Sequence, residues 1–105
     1  MDIKTFSALA EPNRFQIVEL LKNQSYSVND FVKILKVRQP QISKHLRILN
    51  NSGLVNVKPV AQKRIYSLNP DAFIELNNWI ISFERSWTSR LDNLEEYLKL
   101  SKQEG

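Results

Sequence analysis

The chain has 105 residues, no cysteine, and 15 Lys or Arg against 11 Asp or Glu, for a net charge of +4. That length is one domain's worth, and 42% hydrophobic residues suffice for a modest core that a partner subunit could enlarge. The missing cysteines exclude disulfides and thiolate metal sites. Met1-Asp2-Ile3-Lys4 does not open a basic-then-apolar leader, and no apolar run approaches the roughly 20 residues that span a bilayer, so the expectation is a cytoplasmic protein with no membrane partner.

The first predicted element is a short helix over residues 3–9, with Ile3, Phe6 and Leu9 on one side. Pro12 opens a second helix, where a first turn tolerates proline, and Phe15, Ile17, Val18, Leu20 and Leu21 make it strongly apolar. Asn23-Gln24-Ser25 reads as a break. Ser27, with Asp30 three residues later, resembles a capping box in which Asp stands for Glu; it starts a third helix through Val28, Phe31, Val32, Ile34 and Leu35. Lys36 and Val37 turn the chain into a fourth helix of about residues 39–52, closed by Gly53. Leu54–Lys58 and Arg64–Leu68 then alternate as two strands, and Pro59–Lys63 forms a hairpin with a polar, basic tip. Asn69-Pro70, a cap and a first-turn proline, begins a last helix reaching about residue 100, with Ser86 the candidate break point. The expected fold class is mainly α with a small β-hairpin, in a single domain over residues 1–105.

The fourth helix has two faces. Ile42, Leu46 and Leu49 recur at helical spacing and suit a core, while Gln39, Ser43, Lys44 and Arg47 carry side chains that donate to base edges and phosphates. A short helix of this kind after another helix matches the second helix of a helix-turn-helix, which enters the major groove of double-stranded DNA. Gln41 belongs with the same set. Between Arg38 and Arg64 lie Lys44, Arg47, Lys58 and Lys63 and no acid at all, which suits a polyanion partner. Lys63 and Arg64, on the hairpin, are placed to reach phosphates or the minor groove. His45 is the chain's one histidine; with no cysteine and no second imidazole it reads as a packed or phosphate-contacting residue rather than a catalytic or metal-binding one.

The last helix carries Phe73, Leu76, Ile80, Phe83, Trp87, Leu91, Leu94 and Leu98 at steps of three or four, a continuous apolar stripe. A domain of this size can hardly cover so long a seam, so a homodimer is expected through the terminal helices, with Ile80, Phe83, Trp87, Leu91 and Leu94 joined by Phe6 and Leu9. No Gly-rich phosphate loop, Ser-His-acid set or metal-ligand cluster is legible, so neither catalysis nor a cofactor is expected. The alternative is a winged helix that binds another protein; the acid-free segment argues against it.

The element order is that of a winged helix-turn-helix, and the residues resemble the ArsR/SmtB family of small bacterial repressors. The resemblance is carried by Phe6-Ser7-Ala8-Leu9-Ala10-Glu11-Pro12-Asn13-Arg14, by Gln39 through Leu49, and by Ser52-Gly53-Leu54-Val55. The tail, with Trp79, Phe83-Glu84-Arg85-Ser86-Trp87 and Leu91 through Leu98, is similar to a cysteine-poor, SdpR-like branch. The resemblance spans about Phe6 to Leu98 and implies a homodimer that binds a palindromic operator and blocks transcription of its own or a neighbouring operon. Two departures matter. Where the family's metal sensors carry cysteines this chain has Ser27-Val28-Asn29-Asp30-Phe31-Val32, and zinc ligands between terminal helices lack a histidine here, so metal sensing is not carried over. The wing tip has Ala61-Gln62 in place of the glycine common there. No small-molecule effector is legible.

Overall fold

The computed structural model describes residues 2–104, with side chains as far as Ser101. The elements are α1 (Ile3–Leu9), α2 (Pro12–Leu21), β1 (Tyr26–Ser27), α3 (Val28–Leu35), α4 (Gln39–Asn51), β2 (Val55–Val60), β3 (Lys63–Leu68) and α5 (Pro70–Glu104). They form two compact units, Met1–Phe73 and Ile74–Gly105.

Local chemistry accounts for most of the boundaries in the first unit. Asp2 accepts from the Lys4 amide to cap α1, and Glu11 accepts from the Arg14 amide at 2.9 Å, with Pro12 in the first turn of α2. Ser27 and Asp30 form the expected reciprocal box: the Ser27 amide donates to Asp30 Oδ2 at 2.8 Å and the Asp30 amide to Ser27 Oγ at 3.3 Å. The Ser27 backbone amide first and its hydroxyl second hold the Asp30 carboxyl below its ordinary value. Lys36 takes the left-handed conformation at the end of α3, so the chain doubles back into α4. α4 ends in a Schellman turn: the Leu54 amide reaches the Leu49 carbonyl at 3.0 Å and the Gly53 amide that of Asn50 at 3.1 Å, with Gly53 at φ 78°.

The core gathers one face of each helix. Ile17, Phe31, Ile42, Leu46, Leu49 and Leu54 are fully buried and Val55 nearly so, each contributing about 2 kcal/mol through burial. α1 turns Thr5 and Ala8 inward, leaves Ile3 exposed, and holds Phe6 and Leu9 half-buried. Ala72 and Phe73, at the start of α5, pack on the same core.

Three features differ from the sequence expectation. The sheet has three antiparallel strands in the order β1-β3-β2, because Tyr26 and Ser27 pair with Tyr66 and Ile65. A two-residue strand is too short to leave an alternation signal. The wing tip is tighter than a five-residue hairpin: β2 and β3 pair as far as Val60 and Lys63, so only Ala61 and Gln62 make the turn. Ala61 achieves this at φ 56° without being glycine, and Pro59 is tolerated because β2 is an outer strand. Finally, α5 runs through Ser86 unbroken. Neighbouring hydroxyls bond back to their own helix, Ser82 Oγ to the Trp79 carbonyl and Thr88 Oγ1 to that of Glu84, which leaves the ladder intact.

The second unit is the rest of α5. Trp79 and Phe83 meet edge to face at 4.7 Å, and the Arg90 guanidinium lies over Trp87 at 5.3 Å. Its apolar stripe is open: Ile80, Phe83, Trp87, Leu91, Leu94 and Leu98 each remain between 43% and 57% exposed.

Candidate nucleic-acid interface

α4 is fastened to the core by Ile42, Leu46 and Leu49, which fixes what its other faces present. Lys44 and Arg47 are exposed opposite that stripe. Gln39, Ser43, Arg47 and Asn50 follow one flank and meet Val57, Arg64 and Tyr66 of the wing around a cleft of about 410 Å³. The helix flank and the hairpin thus bring Gln39, Ser43, Arg47 and Arg64 of the expected set together. Gln41 and Lys44 are exposed and stand outside this cleft. Lys63 also stands outside it, near enough to Asp30 to favour that carboxylate's charge.

His45 faces a different neighbour. Arg14 Nη1 lies 3.3 Å from its Nδ1, and Glu11 Oε2 lies 3.7 Å from the same nitrogen. Arg14 is itself anchored, its Nε donating to the Ala8 carbonyl at 2.7 Å. The cluster ties α4 to the end of α1 and the start of α2.

Two cleft residues escaped the sequence reading. Asn50 lies three residues beyond Arg47 and seven beyond Ser43 on one helix face. Tyr66 follows Arg64 at strand period two, which places both on one side of β3. Among the described residues no three His, Cys, Asp or Glu side chains gather where a metal ion could sit, and no helix is long and apolar enough to cross a membrane.

The comparisons agree with this geometry. Residues 11–57, from the cap of α2 to the middle of β2, match the family model for bacterial regulatory proteins of the arsR family. The HTH-type transcriptional regulator Rv2034 of Mycobacterium tuberculosis is 31% identical over 97% of this chain and 90% of its own length. The transcriptional repressor SdpR of Bacillus subtilis is 31% identical over 74% of this chain and 87% of its own. The structure of HlyU from Vibrio cholerae aligns with a TM-score of 0.63 and 32% identity, covering 74% of this chain and 88% of that one. The winged-helix element order and relatives matched over nearly their whole length lead to one conclusion: the chain belongs to the ArsR family of DNA-binding transcription regulators, winged helix-turn-helix proteins that are not enzymes.

Proposed function

We propose that this protein is a cytoplasmic, homodimeric repressor that reads an inverted-repeat operator in its own or a neighbouring promoter, without Cys or His metal sensing. The observation that carries the reading is the meeting of Gln39, Ser43, Arg47 and Arg64 around one cleft in a segment free of acids. α4 enters the major groove, where Gln39 and Gln41 suit adenine and Lys44 and Arg47 suit guanine, with Ser43 between them. Arg64 and Lys63 hold the backbone from the wing, and His45 positions the helix. The open stripe of α5, with Phe6 and Leu9, is the seam between two copies, and its two-fold symmetry makes the operator palindromic. Repression is the sign reported in the name of SdpR.

The test is a duplex selected by the protein from a random pool, followed by variants. Half-sites are expected about 10–10.5 base pairs apart, or a multiple of that, and inverted. Ser43→Ala and Lys44→Ala should lose about 1–3 kcal/mol of discrimination per base contact. Lys63→Gln and Arg64→Gln should weaken all sequences alike and lower the slope of log affinity against log salt by about one each. If Ser43 and Lys44 variants treat selected and random duplexes as the wild type does, α4 does not read DNA and a protein partner becomes the better reading. A promoter–reporter pair that rises with the protein, as the name transcriptional activator given to HlyU would suggest, would overturn repression alone.

A further inference from the structure

Tyr66 has a position that packing does not explain. Its residue surface is only 7% exposed, its ring belongs to the core, and yet it lines the cleft between α4 and the wing. A buried tyrosine normally finds a partner for its hydroxyl. Here that oxygen makes no hydrogen bond among the described residues, and it is not sealed off from outside. The cleft is thus lined by a nearly buried tyrosine whose hydroxyl has no partner among the described residues.

The chemistry around it selects an anion. Arg47 and Arg64 flank the cleft, Ser43 and Asn50 add neutral donors, and no carboxylate is among the lining residues. A phenol, an amide and the Arg64 guanidinium supply donors for several oxygens of one tetrahedral group. Topology supplies the source. When a helix occupies a major groove and the adjoining hairpin reaches the next minor groove, the strand of phosphates between the grooves passes under the space that separates them.

We infer that this cleft seats one phosphodiester of the DNA backbone in each half-site, with the Tyr66 hydroxyl donating to it beside Arg64, while Arg47 serves the base edges. The inference rests on the DNA-binding reading above and assigns Tyr66 and Asn50 to the interface. The contact fixes how deeply α4 enters its groove, because the buried tyrosine ring cannot follow a backbone that shifts.

The decisive variant is Tyr66→Phe, which keeps the ring and removes only the oxygen. Unfolding midpoints of wild type and variant should coincide. Binding to the selected duplex should weaken about tenfold, the scale of one hydrogen bond to a charged group. The salt slope should not change, since a neutral hydroxyl releases no counterion, whereas Arg64→Gln lowers it. A methylphosphonate scan, neutralising one phosphate at a time, then locates the contact. At one phosphate per half-site the losses from the modification and from Tyr66→Phe should fail to multiply, while at every other phosphate they should multiply. Wild-type affinity in Tyr66→Phe, or independent losses at every phosphate, overturns the inference while leaving the reading by α4 intact. Sulfate that shifts the Tyr66 ring resonances alongside a flat scan would assign the cleft to a free anion and equally overturn it. Failure of the wild type to select any duplex would instead remove the DNA-binding reading beneath it.

Discussion

Placing glutamate at both Trp87 and Leu91 should abolish the proposed dimer. Trp87 is 57% and Leu91 55% exposed on α5, so about half of each side chain is available for a second copy to cover. Full burial of leucine is worth about 2 kcal/mol and of tryptophan, at about 200 Å², about 5 kcal/mol. Covering the open halves then contributes about 1 and about 2.5 kcal/mol per chain, or about 7 kcal/mol over two chains. At 1.4 kcal/mol per tenfold, the dissociation constant should rise by about five powers of ten before the cost of burying carboxylates is added. Sedimentation velocity at micromolar concentration is the assay, with far-ultraviolet circular dichroism to confirm that the winged unit remains folded. Leu91→Ala, which leaves the helix propensity high, should weaken the dimer about thirtyfold by the same reasoning. A wild type that sediments as a monomer, or a double variant that remains dimeric, would refute the assignment of this stripe as the seam.

Other outcomes follow from smaller features. Asp30 is held below its ordinary value of 3.8 by Ser27, so its stabilising contribution is complete above that pH and is lost as pH falls through the lower folded value; Asp30→Asn should therefore flatten acid unfolding below pH 3.8, and parallel acid limbs for the two proteins would contradict this. Ala61→Gly relieves a left-handed alanine at φ 56° and should gain about 0.5 kcal/mol after the entropy of glycine is deducted, read as a melting temperature higher by about 3 °C. DNA affinity should be the same in strong chelator and in stoichiometric zinc. A saturable zinc effect would point to a carboxylate site, such as one built from Glu84, Asp92 or Glu95.

The helices were legible where several signals coincide. The third carries a capping box and an apolar period, the fourth an apolar period and a closing glycine, and both lie within a residue of expectation. The wing tip was harder, because Ala61 does with a positive φ what sequence reading assigns to glycine. β1 was invisible since two residues carry no period. Around the candidate cleft, charge singled out Arg47 and Arg64, but Tyr66 looks like any aromatic strand residue until its unpartnered oxygen is seen. The inward turn of His45 depends on Glu11 and Arg14, which come close to it only after α2 packs against α4.

Ser27 belongs to two structures at once: as part of β1 it pairs with Ile65 of the wing, and as an N-cap it opens α3. A chain that frays at one of these places must release the other. Amide protons at the base of β3 and in the first turn of α3 should therefore exchange with a single opening free energy, ahead of the Ile42 and Leu46 amides but behind those of the wing tip. The grip of a nucleic-acid strand on the wing would then slow exchange in a helix that it never touches.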